Sequence, residues 1–101
     1  MICLLSASEA TIGAAMGTPA EWRAERRVID LHMHVGTGEK YLNRAIGIMN
    51  RVGIGVAANL SGGYVTHNPG KTSSFERNKA LADRLHPGRF VHYFNLNYTG
   101  W

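Results

Sequence analysis

The segment RRVIDLHMHVG, residues 26–36, places two histidines, His32 and His34, at the end of an apolar run and just before a glycine. Side chains alternate between the two faces of a β-strand. His32 and His34 therefore share a face with Asp30, while Ile29, Leu31, Met33 and Val35 share the other and are expected to pack against helices. Residues two apart on a strand lie about 6.5–7 Å apart at Cα, close enough for both imidazoles to bend toward one ion. Neutral imidazole nitrogen is a good ligand for zinc and other divalent first-row metals, so the chemistry this spacing offers is metal binding. Five histidines in 101 residues make an HxH pair weak alone. Its context strengthens it: an apolar strand leads in, an acid stands two residues before, and a glycine turn follows.

Three further histidines have less claim to ligand roles. His67 lies in a loop, where a substrate or metal contact competes with simple solvation. His86 stands at a helix end, expected on the opposite rim. His92 is mid-strand between Val91 and Tyr93 and is expected to be a hydrogen-bonded core residue. The single cysteine, Cys3, excludes an intrachain disulfide and a cysteine-based zinc site.

Positioning the pair requires a regular scaffold, and one is legible from residue 28 onward. Residues 28–35 read as a strand by their alternation and β-branched content. GTG at 36–38 is a turn. From Glu39 to Arg51, with apolar residues at Leu42, Ala45, Ile46, Met49 and Val52, the spacing is that of one helical face. GIGVAANL, residues 53–60, is a short apolar run suited to a strand buried on both faces. A loop over 61–71 follows. Thr72 or Ser73 can cap the next helix, Glu76 completes a capping-box pattern with Ser73, and Phe75, Leu81, Ala82 and Leu85 are the inward residues. HPG at 86–88 ends that helix, and 89–96 reads as a third strand. The order β-α-β-α-β implies an α/β fold with parallel strands and right-handed crossovers, whose functional edge is the carboxyl end of the strands.

Composition is that of one soluble globular domain: 45% hydrophobic and 18% charged residues. Eleven Lys and Arg against seven Asp and Glu give +4, but the basic residues are spread from Arg23 to Arg89, so nothing argues for nucleic acid. Residues 1–26 are expected to be a flexible or weakly signal-like leader, with EWRAERR at 21–27 as a charged run-in. The first twenty lack a basic start and are interrupted by Glu9, which favours a cytoplasmic location over export. No stretch approaches the roughly 18 apolar residues of a membrane span.

IDLHMH at 29–34 resembles the first-strand motif of the amidohydrolase superfamily, in which a strand ending in His-x-His opens a (β/α)8 barrel. FERNKALAD and HPGRFV within residues 75–91 are similar to the second helix and third strand of one branch, the amidohydrolase-related proteins that include aminocarboxymuconate-semialdehyde decarboxylase-like enzymes. The similarity spans about residues 27–97. It implies a partial TIM barrel over residues 27–101, comprising the first three βα units, with His32 and His34 as ligands of a divalent metal, zinc foremost. It implies a small-molecule substrate and a metal-dependent hydrolase or non-oxidative decarboxylase. The family's other ligands come from strands five, six and eight, and a whole barrel takes about 250 residues. The expectation is an N-terminal portion, inactive alone, with an open third-strand edge that invites self-association.

Two rival readings stand beside it. GKTS at 70–73 follows a strand and opens a helix, as the end of a phosphate-binding loop would, but that motif needs glycine at 65, where Val65 stands. The other rival is a non-catalytic α/β fragment that binds a partner.

Overall fold

The computed structural model describes residues 17–66 and 68–99. Among them the chain runs α1 (Pro19–Ala24), β1 (Val28–Met33), α2 (Glu39–Val52), β2 (Ile54–Asn59), β3 (Tyr64–Thr66), α3 (Ser74–Leu85), β4 (Phe90–His92) and β5 (Asn95–Asn97). The protein is mixed α/β with two small parallel sheets, one of order β1-β2-β4 and one pairing β3 with β5, and no barrel is closed.

The β-α-β-α-β reading is thus met in its main sheet. Leu42, Ala45 and Met49 are buried, Ile46 packs beside them, and only Val52, at the last position of α2, is half exposed. Gly53 then takes the left-handed conformation (φ 82°) that ends α2, and its amide donates to Met49. The α3 cap falls on Ser73, whose hydroxyl accepts from Glu76 N at 3.1 Å while Ser73 N donates to the Glu76 carboxylate at 2.7 Å. Ala82 is buried on α3 and Leu81 packs against the core, but Phe75 and Leu85 are only partly covered, and the polar Asn78 is buried as well. The core joins Val35, Leu42, Ala45, Met49, Ala57, Ala82 and Phe90. Ala57 and Phe90 are register partners, so this core defines the helix-covered face of the sheet.

Three elements depart from the expectations. Residues 19–24 form a helix where an irregular run-in was expected, because Thr18 and Glu21 make a complete capping box with Pro19 in the first turn. The remainder of the leader, residues 1–16, lies outside the described residues. The expected strand 89–96 breaks at Tyr93 and Phe94, and its second half leaves the main sheet to pair with β3, a three-residue strand inside the expected loop.

The third departure lies in β1. Asp30 pairs with Ala57 and Met33 with Asn59, three steps along β1 against two along β2. One extra residue is accommodated, a β-bulge, and strict alternation fails across it. Asp30 and Met33 lie on the helix side, whereas Ile29 and Leu31 are 60% and 77% exposed on the opposite face. The expectation that all four apolar residues face the helices is therefore corrected for Ile29 and Leu31.

Candidate metal site at the end of the first strand

The bulge leaves Leu31 and His32 adjacent on the uncovered face, and His34 follows there because Val35 turns into the core. Both histidines are exposed. Their Nε2 atoms converge to 3.2 Å, with ring planes inclined at 62°. Two nitrogens bound to one tetrahedral zinc at about 2.0–2.1 Å would stand about 3.3–3.4 Å apart, and the 3.2 Å between these two is that of a hydrogen bond from one ring to the other.

His34 is oriented from behind. Its Nδ1 lies 2.5 Å from Ser61 Oγ. When Nδ1 carries the proton and donates to that hydroxyl, the Nε2 lone pair is left to accept from His32 Nε2, the tautomer a metal ligand would also need. Ser61 is held in turn by Asn59, which is fully buried at the end of β2. Asn59 Oδ1 accepts from Val35 N at 3.1 Å and from Ser61 N at 3.0 Å, so one amide oxygen fastens the residue after His34 to the residue that orients His34. Leu60 N adds a 2.9 Å bond to Met33 O across the same strand ends.

Asp30 does not share the histidine face as expected. Its Oδ1 accepts from His32 N at 2.9 Å, a local turn that satisfies an amide displaced from the ladder by the bulge. The carboxylate therefore shapes the backbone that presents His32. Beside the pair, an open groove of about 410 Å³ between the end of β1 and α2 is lined by His34, Gly36, Tyr41, Arg44 and Ile48.

The remaining histidines separate cleanly. His92 is in register with Asn59 on the helix side, its side chain 5% exposed, with Nε2 3.3 Å from Asp83 Oδ1 and its ring edge-on to Phe75. It is a core histidine. Asp83 is held below the ordinary aspartate range first by its bond from Lys79 and then by His92. His86 caps the far end of α3 and bonds Asn43 Oδ1 at 2.7 Å, at the rim opposite the pair. His67 lies outside the described residues. No cluster of three or more His, Cys, Asp or Glu side chains forms among the described residues.

At GKTS, Ser73 N is already taken by the Glu76 carboxylate, and Arg77 Nη1 donates to Thr72 O at 2.6 Å. The helix start that would receive a phosphate carries an acid instead. Among the described residues no helix is long and apolar enough to cross a membrane.

The sequence singles out His32 and His34 as candidates and does not point to Ser61 or Asn59, which the structure places behind them. Asn59 left one trace, a polar residue closing the apolar run GIGVAANL. No protein-family model matches the chain, and no curated protein or solved structure matches it.

Proposed function

We propose that this chain is the N-terminal portion of a metal-dependent hydrolase or non-oxidative decarboxylase of the amidohydrolase type, and that His32 and His34 are its first two metal ligands. The observation that carries this reading is the 3.2 Å approach of the two Nε2 atoms, with His34 Nδ1 held by Ser61. The donor set fits a divalent metal of the zinc class: two imidazoles, exposed at their Nε2 side and braced from a second strand.

The scaffold supports the reading. Three parallel strands in the order of the chain, two helices on one face and an HxH at the carboxyl end are what the first three units of a (β/α)8 barrel would provide. The uncovered face bearing Ile29 and Leu31 would then be barrel interior. A bound ion would supply polarisation of a small-molecule substrate's oxygen and a bound water acidic enough to ionise near neutral pH. In this scheme His32 and His34 hold the ion, Ser61 fixes the His34 ring, and Asn59 fixes Ser61. Catalysis by the 101 residues alone is not part of the proposal, because catalytic zinc sites use three protein ligands.

Calorimetric titration of zinc into the wild-type chain and into His32→Ala/His34→Ala tests the assignment. Saturable binding is expected in the first and its loss in the second; equal affinity in both would contradict it.

A further inference from the structure

Two asparagines are buried where the strand ends meet α3: Asn59 is 0% exposed and Asn78 is 3% exposed. An amide side chain brings an acceptor oxygen and two N–H donors, and burying either without a partner is costly. Both oxygens are used on backbone near the ends of β1 and β2. Asn59 Oδ1 accepts from Val35 N and Ser61 N, and Asn78 Oδ1 accepts from Gly38 N at 2.9 Å. These bonds fix which way each amide faces. Neither Nδ2 then meets an acceptor among the described residues, although both atoms are buried. The two Nδ2 atoms lie beside Gly62. At the point where a side chain of residue 62 would begin, Asn59 Nδ2 stands 3.5 Å away, Asn78 Nδ2 3.8 Å and Tyr93 O 3.9 Å, and no atom outside residues 61–63 is nearer.

We infer that this place is an internal water site, in which one water accepts from Asn59 Nδ2 and Asn78 Nδ2 and donates to Tyr93 O. The partners select the ligand. Two donors and one carbonyl suit a neutral oxygen that both accepts and donates, whereas an anion would face the carbonyl and a cation the two N–H groups. Three bonds are the usual number for a buried water. The site is made within this chain, by α3 and the ends of β2 and β4, and Gly62, Asn59 and Asn78 are all buried, so the ligand is of solvent size. The water ties α3 and the end of β4 to Asn59, the residue that holds Ser61 behind His34. It does so with or without a metal.

Water–protein Overhauser spectroscopy on the ¹⁵N-labelled, zinc-free full chain tests the site. The side-chain amide protons of Asn59 and Asn78 should both show cross-peaks at the water frequency, with the sign of a molecule held for longer than the tumbling time. Ser61→Ala should keep them, which separates a bound water from exchange through the Ser61 hydroxyl. Gly62→Ala is the second arm. Gly62 is not among the glycines with positive φ, and the added methyl meets nothing nearer than 3.5 Å beyond its chain neighbours. Alanine at such a compatible glycine ordinarily lowers the unfolding constant by about two- to five-fold. Here the methyl displaces the water and leaves two buried donors unpaired. The unfolding constant from urea denaturation should therefore rise, by at least about five-fold, and the cross-peaks should vanish. A stabilised Gly62→Ala chain would overturn the water site. So would a wild-type spectrum in which either amide lacks its cross-peak, or loss of both cross-peaks in Ser61→Ala.

Discussion

Asp30 and Asn59 flank the histidine pair, and each spends its oxygen on backbone amides rather than on the ion's side. Asp30 Oδ1 holds His32 N, and Asn59 Oδ1 holds both Val35 N and Ser61 N. What Asp30 contributes is then an acceptor, not a charge. Asp30→Asn keeps an acceptor oxygen and removes the charge, so its zinc affinity should stay within about three-fold of wild type, whereas loss of a ligating carboxylate costs considerably more. Calorimetry on that single variant separates the two roles. The sequence offered no route to this distinction: VIDLHMHV alternates without a break, and Asp30 reads as a third member of the histidine face. The residue that breaks the alternation is set by pairing with β2, a distant segment, so no local pattern carries it. Asn59 was hidden for a similar reason, since a buried amide is specified by the amides that it meets and not by its neighbours in sequence.

At the scale of elements, the bulge makes a quantitative statement about β1. Were alternation intact, Leu31 would be a core residue. With the bulge it is exposed, so Leu31→Ser in the zinc-free chain should shift stability by no more than about 0.5 kcal/mol. Leu42→Ala, at a fully buried site, should cost about 2–5 kcal/mol. Urea denaturation of the two variants compares them directly, and a similar large loss in both would contradict the register. Helix α3 adds a pH-dependent term. The Ser73 amide and then its hydroxyl hold the Glu76 carboxyl below its ordinary value of 4.5. A carboxyl depressed on folding stabilises the native state above its unfolded value and loses that contribution as pH falls through the folded one. The difference in urea midpoint between wild type and Glu76→Gln should therefore be constant at neutral pH and shrink as pH drops below 4.5. This capping box was legible because SSFE is a local signal. The same signal, TPAE at 18–21, stands before α1, but its Glu21 also opens EWRAERR at 21–27, whose charge reads as a run-in. β3 escaped because three residues, Tyr64–Thr66, are too few to display a period, and its partner β5 lies thirty residues on.

Across the whole molecule, the arrangement divides the four described histidines by environment. His92 is enclosed between α3 and the sheet and His86 bonds Asn43 at the far rim, while His32 and His34 meet at the carboxyl end of the strands on the uncovered face. That partition follows from the parallel sheet and its crossovers, the part of the fold most plainly legible in the sequence. It makes the central claim, that the HxH pair is a metal site, open to one direct measurement. Imidazole nitrogen resonances of the ¹⁵N-labelled full chain can be followed through a zinc titration. The account predicts that the Nε2 signals of His32 and His34 shift together and saturate, with Nδ1 of His34 protonated toward Ser61, while His86 and His92 stay where they were. Unmoved signals from the pair, or a response centred on other histidines, would contradict it.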